Sequence, residues 1–167
     1  MDYESLFEMN TESLAASLDA AVRLALSEYE KLQGAGLKGE LSHIYVSFLI
    51  SSVLCRLPWL RIDLYDENGR LDMTGCMTEW DVPGISDRLY RDAEAAMAAM
   101  SGRADDCGAE ALLLELSENC HRMFERFMPQ IINRCAAARG LSCQWHYGLF
   151  FGGAATVWGG GTDDEVF

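Results

Sequence analysis

The residues of this chain that could do chemistry include a group of thiols and imidazoles in its C-terminal half. Cys120 and His121 are adjacent, and Cys135, Cys143 and His146 follow them. A tetrahedral zinc site takes four such ligands at fixed spacing, and Cys143-x-x-His146 supplies only half of that signature. We therefore interpret these residues as buried thiols and a hydrogen-bonded histidine, and we predict no metal site and no cofactor.

Nucleophilic catalysis would need a thiol or hydroxyl with a histidine base close by in space. Six cysteines and three histidines make some such proximity almost inevitable, so their presence does not indicate an enzyme. The chain has no G-x-S-x-G elbow and no P-loop. The glycine run at residues 159–161 lacks the lysine and the helix that follow in a P-loop. We predict no catalytic residue.

Carboxylates and two aromatic residues crowd the segment between residues 63 and 81. Acid–base catalysis would need a cleft that separates the pKa values of two carboxyl groups, and an exposed sheet face offers no such cleft. A docking surface fits better, because charge speeds the encounter with a basic partner and aromatic residues concentrate binding energy. This predicted acidic face consists of Asp63, Tyr65, Asp66, Glu67, Asp72, Glu79, Trp80 and Asp81. A solvated face without a partner is the alternative.

A contrasting basic group lies on the pattern of a long helix later in the chain. Arg122 and Arg126 are one turn apart and share a helix face, and His121 precedes them. These three residues are a candidate site for an anionic ligand. Internal pairing with the acidic hairpin is the interpretation that we favour over ligand binding.

The element that must position the acidic face is a hairpin between residues 60 and 77. Its dipeptide Asn68-Gly69 lies between two alternating apolar runs, which is the pattern of a two-residue type I′ turn. This turn brings the large aliphatic side chains of both strands onto one face. The resulting pairs are Leu64 with Met73, Ile62 with Gly75 and Leu60 with Met77.

The rest of the chain indicates an α+β fold. We interpret residues 42–55 as a strand rather than a helix, because apolar residues alternate there and β-branched and aromatic residues are abundant. Together with the hairpin, this strand gives a three-stranded antiparallel meander over about residues 43–79. We predict that three helices pack against the meander. A C-terminal hairpin within residues 145–158 would extend the sheet.

Three segments have the apolar spacing of helices. The first starts at Thr11, after ten residues that we predict to be loosely held, and it ends at Gly34. The second starts at Ser86, whose hydroxyl would cap it. The third and longest contains Pro129, which we expect to kink or split the helix because proline removes a backbone donor.

The length and the charge of the chain limit its function. The 167 residues suit one globular domain over residues 1–158, followed by a flexible acidic tail over residues 159–167. The net charge is −13, and only two of the 13 basic residues are lysines, which disfavours direct binding to nucleic acid or to an anionic membrane. The acidic N-terminus has no export signal, and reduced cysteines fit a cytoplasmic location.

These observations predict a small acidic protein–protein interaction module. Its expected class is an inhibitor or immunity-type protein of bacterial or phage origin, and its expected partner is a basic protein rich in arginine and lysine. Two alternatives remain: a nucleic-acid mimic that blocks a DNA- or RNA-handling enzyme, and a ligand-binding protein or enzyme with a pocket between helices and sheet. An exposed aromatic segment at residues 145–158 would point to a homodimer.

Overall fold

A computed structural model describes residues 2–99, 106–150 and 152–159 of the chain. It confirms the predicted α+β class, with a five-stranded mixed sheet and several helices. In chain order the elements are α1 Tyr3–Gly34, β1 His43–Phe48, α2 Ile50–Cys55, β2 Leu60–Tyr65, β3 Met77–Trp80, α3 Pro83–Ala99, α4 Asp106–Arg134, α5 Ala136–Arg139, β4 Gln144–Leu149 and β5 Ala154–Gly159. Most of the predicted acidic tail, residues 160–167, lies outside the described residues.

The strands lie in the order β3-β2-β1-β4-β5. The first three strands of the chain form the predicted antiparallel meander, and β4 and β5 form the predicted second hairpin. That hairpin extends the sheet because β4 pairs in parallel with β1. After β1 the chain returns to β2, and after β4 it turns to β5, so the chain leaves the two parallel strands in opposite directions across the sheet.

Alternation along the strands separates the two faces of the sheet, as the 2.0-residue period of a strand requires. The core face is apolar, and its residues on β1 and β2 are almost fully buried: Ile44, Val46, Phe48, Leu60, Ile62 and Leu64. The second face, here called the open face, carries His43, Tyr45, Ser47, Arg61, Asp63 and Tyr65 on the same two strands. Helices α1, α3 and α4 contribute most of the other apolar residues of the core.

The N-terminal residues are helical, so the expectation that residues 1–10 are loosely held is wrong. The helix α1 begins at Tyr3, and the carboxylate of Asp2 accepts a hydrogen bond from the amide of Ser5 at 2.8 Å, which is the geometry of an N-cap. Phe7 is fully buried, with its ring centroid 4.7 Å from that of Phe124 on α4. Burying a phenylalanine contributes about 1.5–3 kcal/mol, which favours the helical over the loosely held state of this segment.

Residues 42–55 contain a strand followed by a short helix, so the predicted strand is correct only for its first half. The chain remains extended through Leu49 and then forms α2, which buries Val53 against the core. Arg56 ends α2 with a φ of 55° in the left-handed region. The apolar residues of this run fit both the strand and the helix period, so periodicity does not mark the point at which the strand ends.

The helix boundaries differ from the prediction at two points. Helix α3 begins at Pro83, and Ser86 donates a hydrogen bond back to the carbonyl of Val82 instead of capping the helix. Helix α4 continues through Pro129, so the expected split at this residue is wrong, and the break comes at Cys135 before α5. Pro129 is exposed, so water can reach the carbonyl that loses its donor.

The hairpin between β2 and β3 is antiparallel, as predicted, but the prediction of a two-residue turn is wrong. Leu60 lies opposite Trp80, whereas the predicted turn would place it opposite Met77. The whole segment 66–76, here called the β2–β3 loop, connects the strands and contains a short 3-10 turn at Gly69–Leu71. Asn68 has a φ of −81°, and a type I′ turn needs a positive φ at this position.

The reason for the longer loop is a lysine from the α1–β1 connection. The side chain of Lys38 is fully buried, and its ammonium group donates to the carbonyl of Leu64 at 3.1 Å and to the carboxylate of Asp72. The same ammonium lies 5.3 Å from the ring centroid of Tyr29 and 5.6 Å from that of Tyr65. Because a buried charge must be paired, Lys38 draws Asp72 inward and displaces the register that a tight turn would impose.

None of the helices within the described residues is long and apolar enough to cross a bilayer.

Candidate functional site

Half of the predicted acidic face is inside the molecule, so that face is not a continuous exposed surface. Asp63 and Asp66 are 4% and 5% exposed, the side chain of Asp72 is 5% exposed and Trp80 is 1% exposed. Tyr65 is half-buried. The remaining members, Glu67, Glu79 and Asp81, are exposed. The prediction places all carboxylates of this segment in solvent, whereas Asp63, Asp66 and Asp72 have partners inside the protein.

Asp63 is paired with its neighbour on β2. Its carboxylate accepts hydrogen bonds from Nε of Arg61 at 2.9 Å and from Nη2 of Arg61 at 2.6 Å. Both side chains lie on the open face, because residues two apart on a strand point the same way. The pair is charge-neutral, and it fixes the orientation of the guanidinium.

Asp66 organises the start of the β2–β3 loop. Its carboxylate accepts hydrogen bonds from the amides of Gly39 at 3.2 Å and Asn68 at 2.9 Å. Burial alone would raise the pKa of this carboxyl, but the amide hydrogen bonds outweigh burial, and the pKa is lowered. Asp72 makes a similar bond, accepting from the amide of Thr74 at 2.8 Å. These carboxylates form the internal support of the loop.

Trp80 is part of the core and not of an interface. Its indole Nε1 donates to the hydroxyl of Ser17 on α1 at 2.9 Å. Its ring centroid is 6.0 Å from that of Phe124 on α4. The side chain points to the core face because the true register sets it opposite Leu60.

The β2–β3 loop turns outward the apolar side chains that the predicted register would have buried. Leu71 is 83% exposed and Met73 is 95% exposed, and Met77 at the start of β3 is 47% exposed. Glu67 in the same loop and Glu79 on β3 are also exposed. We call these five residues the loop surface. The loop surface is therefore apolar at its centre, with carboxylates before and after it in the chain.

The predicted anion site on α4 does not form. The guanidinium of Arg126 pairs with Glu4 of α1 at 2.7 Å, and that of Arg122 donates to Asn119. The Nδ1 atom of His121 lies 2.9 Å from the hydroxyl of Tyr147, and burial lowers the pKa of this histidine. The three residues thus have separate partners, and the arginines pair with α1 or within α4 rather than with the acidic hairpin.

Cys120, Cys135 and Cys143 are buried thiols. Burial raises the pKa of Cys120 to about 12 and that of Cys143 to about 11, and it raises the pKa of Cys135 as well. Thiols with such pKa values are neutral near pH 7 and are poor nucleophiles and metal ligands. Within the described ranges, no group of three or more His, Cys, Asp or Glu residues could hold a metal ion.

The open face of the sheet carries a depression that the sequence analysis did not find as a site. Its volume is about 500 Å³, and it is lined by Tyr45, Ser47, Arg61, Asp63, Tyr65, Arg70 and Phe150. We call it the open-face pocket. Alternation along β1 and β2 places Tyr45, Ser47 and Arg61 on the open face. Only the register of the two strands brings these residues together. Arg70 and Phe150 come from loops, which no periodic pattern could place.

Rings and guanidinium groups form the walls of the open-face pocket. The rings of Tyr45 and Tyr65 are nearly perpendicular, at 85°, with centroids 5.5 Å apart. The guanidinium carbon of Arg70 lies 4.5 Å from the ring centroid of Tyr45, and that of Arg61 lies 4.8 Å from that of Phe150. Such cation–π contacts hold the arginine side chains over the rings.

His146 supports the pocket from the neighbouring strand β4. Its ring stacks on Tyr45 with centroids 4.3 Å apart, and its two nitrogens lie 3.2 Å from Nδ1 of His43 and 3.2 Å from the hydroxyl of Thr156. Burial lowers its pKa to about 4, with smaller contributions from His43 and Arg70. His146 is therefore neutral near pH 7. Both of its nitrogens are engaged, which suits a structural role better than that of a general base.

The aromatic residues of β4 belong to the core. Trp145 is fully buried and Tyr147 is 2% exposed, and Trp158 on β5 packs partly buried against them. The exposed aromatic surface that suggested a homodimer is therefore not present on β4.

No protein-family model, no curated protein and no solved structure matches this chain.

Proposed function

We propose that this protein is a protein–protein interaction module that contacts its partner through the loop surface. The observation that carries the proposal is the exposure of Leu71 and Met73 on a loop that is held from beneath by the buried ammonium of Lys38. Asp66 and Asp72, which the sequence analysis assigned to binding, serve here as support. The apolar residues that it assigned to the core serve as contacts.

Exposure of single apolar residues is ordinary, so the case depends on how the loop holds these two. Hydrogen bonds within the loop fix its backbone, from the amide of Leu71 to the carbonyl of Asn68 at 3.2 Å and from the amide of Asp72 to the carbonyl of Gly69 at 3.0 Å. A loop that is already ordered loses little conformational entropy when it binds. Two large apolar side chains on an ordered loop are therefore suited to act as anchors in a partner's recess.

Charge specifies the partner further. The chain has a net charge of −13, and Glu67 and Glu79 belong to the loop surface. A partner with an apolar recess and a basic rim would complement both the anchors and the carboxylates, and its encounter would be accelerated electrostatically. An inhibitor or immunity-type protein of a bacterium or phage is the specific form of module that we propose. We do not extend the proposal to nucleic-acid mimicry, because Asp63, Asp66 and Asp72 are internal.

The test uses a photo-crosslinking amino acid placed at residue 73, in cells of the source organism. The matched control is residue 9, because Met9 on α1 is also an exposed methionine, at 70%. A protein crosslinked at residue 73 and not at residue 9 is identified, purified and titrated against the wild-type chain. The variants for the titration are Leu71→Ser with Met73→Ser as a double substitution, and Met9→Ser alone.

The proposal expects the double variant to bind the purified partner at least about thirtyfold more weakly, since two anchors contribute about 1 kcal/mol or more each. The variant Met9→Ser should bind like the wild type. Equal affinity of the double variant, or crosslinks that are the same at both positions, would reject the loop surface as the contact. Crosslinking to a second copy of this chain would replace the basic partner with self-association.

A further inference from the structure

We propose that the open-face pocket is a second binding site and that its ligand is a small aromatic carboxylate. The site adjoins the β2–β3 loop through Arg70, but it does not involve Leu71 or Met73. It is therefore independent of the protein partner proposed above. The argument comes from the shape, the charge and the free polar groups of the pocket.

The size and the walls of the pocket suit one flat molecule. Its volume of about 500 Å³ lies within the range of roughly 300–1,000 Å³ that small-molecule sites occupy. Tyr45 and Tyr65 form two perpendicular walls, and Phe150 lies on the Arg61 side. An aromatic ring bound between these walls can make edge-to-face contacts, which are a favoured arrangement of aromatic groups.

The charge of the pocket selects an anion with one negative charge. Arg61 is neutralised by Asp63, whereas Arg70 forms no ion pair with a carboxylate anywhere in residues 2–99, 106–150 or 152–159. His146 adds no charge near pH 7, because burial lowers its pKa to about 4. The pocket thus carries about one uncompensated positive charge in a protein of net charge −13. A polyanion would be repelled by the whole molecule, but a single carboxylate would not be opposed strongly.

Polar groups of the pocket can receive a carboxylate. The pair with Asp63 uses Nε and Nη2 of Arg61, and Nη1 of this guanidinium has no hydrogen-bond partner within the described residues. The guanidinium of Arg70 contacts the carbonyl of Gly152 only at 3.5 Å, which is a weak hydrogen bond. The hydroxyl of Ser47 also lines the pocket, on a residue only 4% exposed. Guanidinium donors bind carboxylates through short, charge-assisted hydrogen bonds.

A neighbouring depression leaves room for a larger ring system. It has a volume of about 410 Å³ and shares Phe150 with the open-face pocket, and its other lining residues are Phe48, Leu49, Ile50, Ser51 and Leu149. It lies at the carboxyl ends of β1 and β4, where the chain leaves in opposite directions. Ligands of open sheets commonly bind at such a switch point. We therefore expect a two-ring carboxylate to bind more tightly than a one-ring carboxylate.

The experiment titrates the full chain with 2-naphthoate by isothermal titration calorimetry and by amide chemical-shift mapping. The comparison probes are benzoate, the neutral 2-naphthamide, cyclohexanecarboxylate and inorganic phosphate. The test variant is Arg70→Met, and the matched control is Arg122→Met, because Arg122 is an exposed arginine that does not line the pocket. A third protein, the double variant Leu71→Ser with Met73→Ser, separates this site from the loop surface.

The proposal expects saturable binding of 2-naphthoate, with shift changes at the amides of Ser47 and Tyr65. Arg70→Met should weaken binding about tenfold or more, since a charge-assisted contact is lost, while Arg122→Met and the double variant should bind like the wild type. The proposal is overturned if 2-naphthoate does not saturate the protein below about 10 mM. It is also overturned if Arg70→Met binds 2-naphthoate as tightly as the wild type. Equally tight binding of phosphate or cyclohexanecarboxylate would overturn the aromatic class. If Arg70→Met is unfolded by circular dichroism, the shift map of the wild type decides.

Discussion

The ammonium of Lys38 is buried against the carboxylate of Asp72, which follows it by 34 residues in the chain. Neither side chain is more than 5% exposed. This contact ties the connection between α1 and β1 to the β2–β3 loop, and the carbonyl of Leu64 accepts a further hydrogen bond from the same ammonium. Because a buried charge without its partner is costly, the loop has one strongly preferred position.

Replacing Lys38 with methionine should destabilise the protein by about 3–5 kcal/mol, because Asp72 would remain buried without a counter-charge. Urea unfolding followed by circular dichroism measures this loss. The control Lys31→Met removes a lysine whose pair with Glu28 is exposed, and it should change the free energy of unfolding by less than about 0.5 kcal/mol. A loss below about 1 kcal/mol for Lys38→Met would show that the pair does not hold the loop.

The apolar anchors of the loop surface should contribute almost nothing to folding. The double substitution of Leu71 and Met73 to serine should change the free energy of unfolding by less than about 0.5 kcal/mol per residue, because both side chains are already in water. Met128→Ala is the buried comparison, since Met128 is fully buried on α4, and it should cost about 2–5 kcal/mol. A large loss in the double variant would mean that these residues are packed.

The pocket histidine should make stability depend on pH between about 4 and 6.5. The pKa of His146 is about 4 in the folded protein and about 6.5 in the unfolded chain, so the unfolded state binds the proton more tightly. The contribution of neutral His146 is therefore complete above about pH 6.5, and it is lost as the pH falls toward 4. His43 and Arg70 face the same ring and add to this effect.

The variant His146→Gln measures this contribution by urea unfolding at pH 7 and pH 5. The wild type should lose more stability than the variant over this interval, and the difference should correspond to the uptake of up to about one proton on unfolding. Titration of the His146 ring by NMR gives the folded pKa directly. An equal pH dependence in the two proteins, with a ring pKa near 6.5, would contradict the burial of this residue.

The β4–β5 hairpin should require glycine at position 148, where a side chain does not fit. A Cβ on Gly148 would lie 2.8 Å from the Cα of Ala154 and closer still to the backbone oxygen of Gly153, so Gly148→Ala requires the strands to move apart. We expect a loss of about 1–3 kcal/mol. A Cβ at the control position Gly153 would have no heavy atom within 4 Å, so Gly153→Ala should leave the melting temperature unchanged. Thermal unfolding of both variants measures the difference. Similar melting temperatures for both variants would show that the hairpin is not tightly paired there.

Sequence patterns predicted those parts of the fold in which neighbouring residues carry the information. The alternation of Ile44, Val46 and Phe48 on β1 and of Ile62 and Leu64 on β2 identified the buried face correctly. The same reasoning placed Met73 wrongly in the core, because the dipeptide Asn68-Gly69 favours a tight turn and a tight turn predicts a different register of the strands. The competing preference came from Lys38, and its partner is too distant in sequence for any local pattern to reveal.

The candidate sites were less predictable for a related reason. Lysine and aspartate are usually exposed, so a sequence containing Lys38, Asp66 and Asp72 gives no sign that these charges are internal. The open-face pocket joins Arg70, from the β2–β3 loop, to Phe150, at the end of β4, and only the sheet order brings these residues together. Composition indicated an acidic protein correctly, but it did not show which carboxylates are free to meet a partner.

The position of Met73 tests the central claim most directly. The chain has eight methionines, and their methyl signals can be resolved by NMR with ¹³C-labelled methionine and assigned by single substitution to leucine. A soluble paramagnetic agent is then added, and the broadening of each methyl signal is measured. We predict that Met73, which is 95% exposed, broadens at least as strongly as Met9, whereas the buried Met128 is nearly unaffected. Protection of Met73 to the level of Met128 would place it in the core opposite Leu64, and the loop surface would not exist.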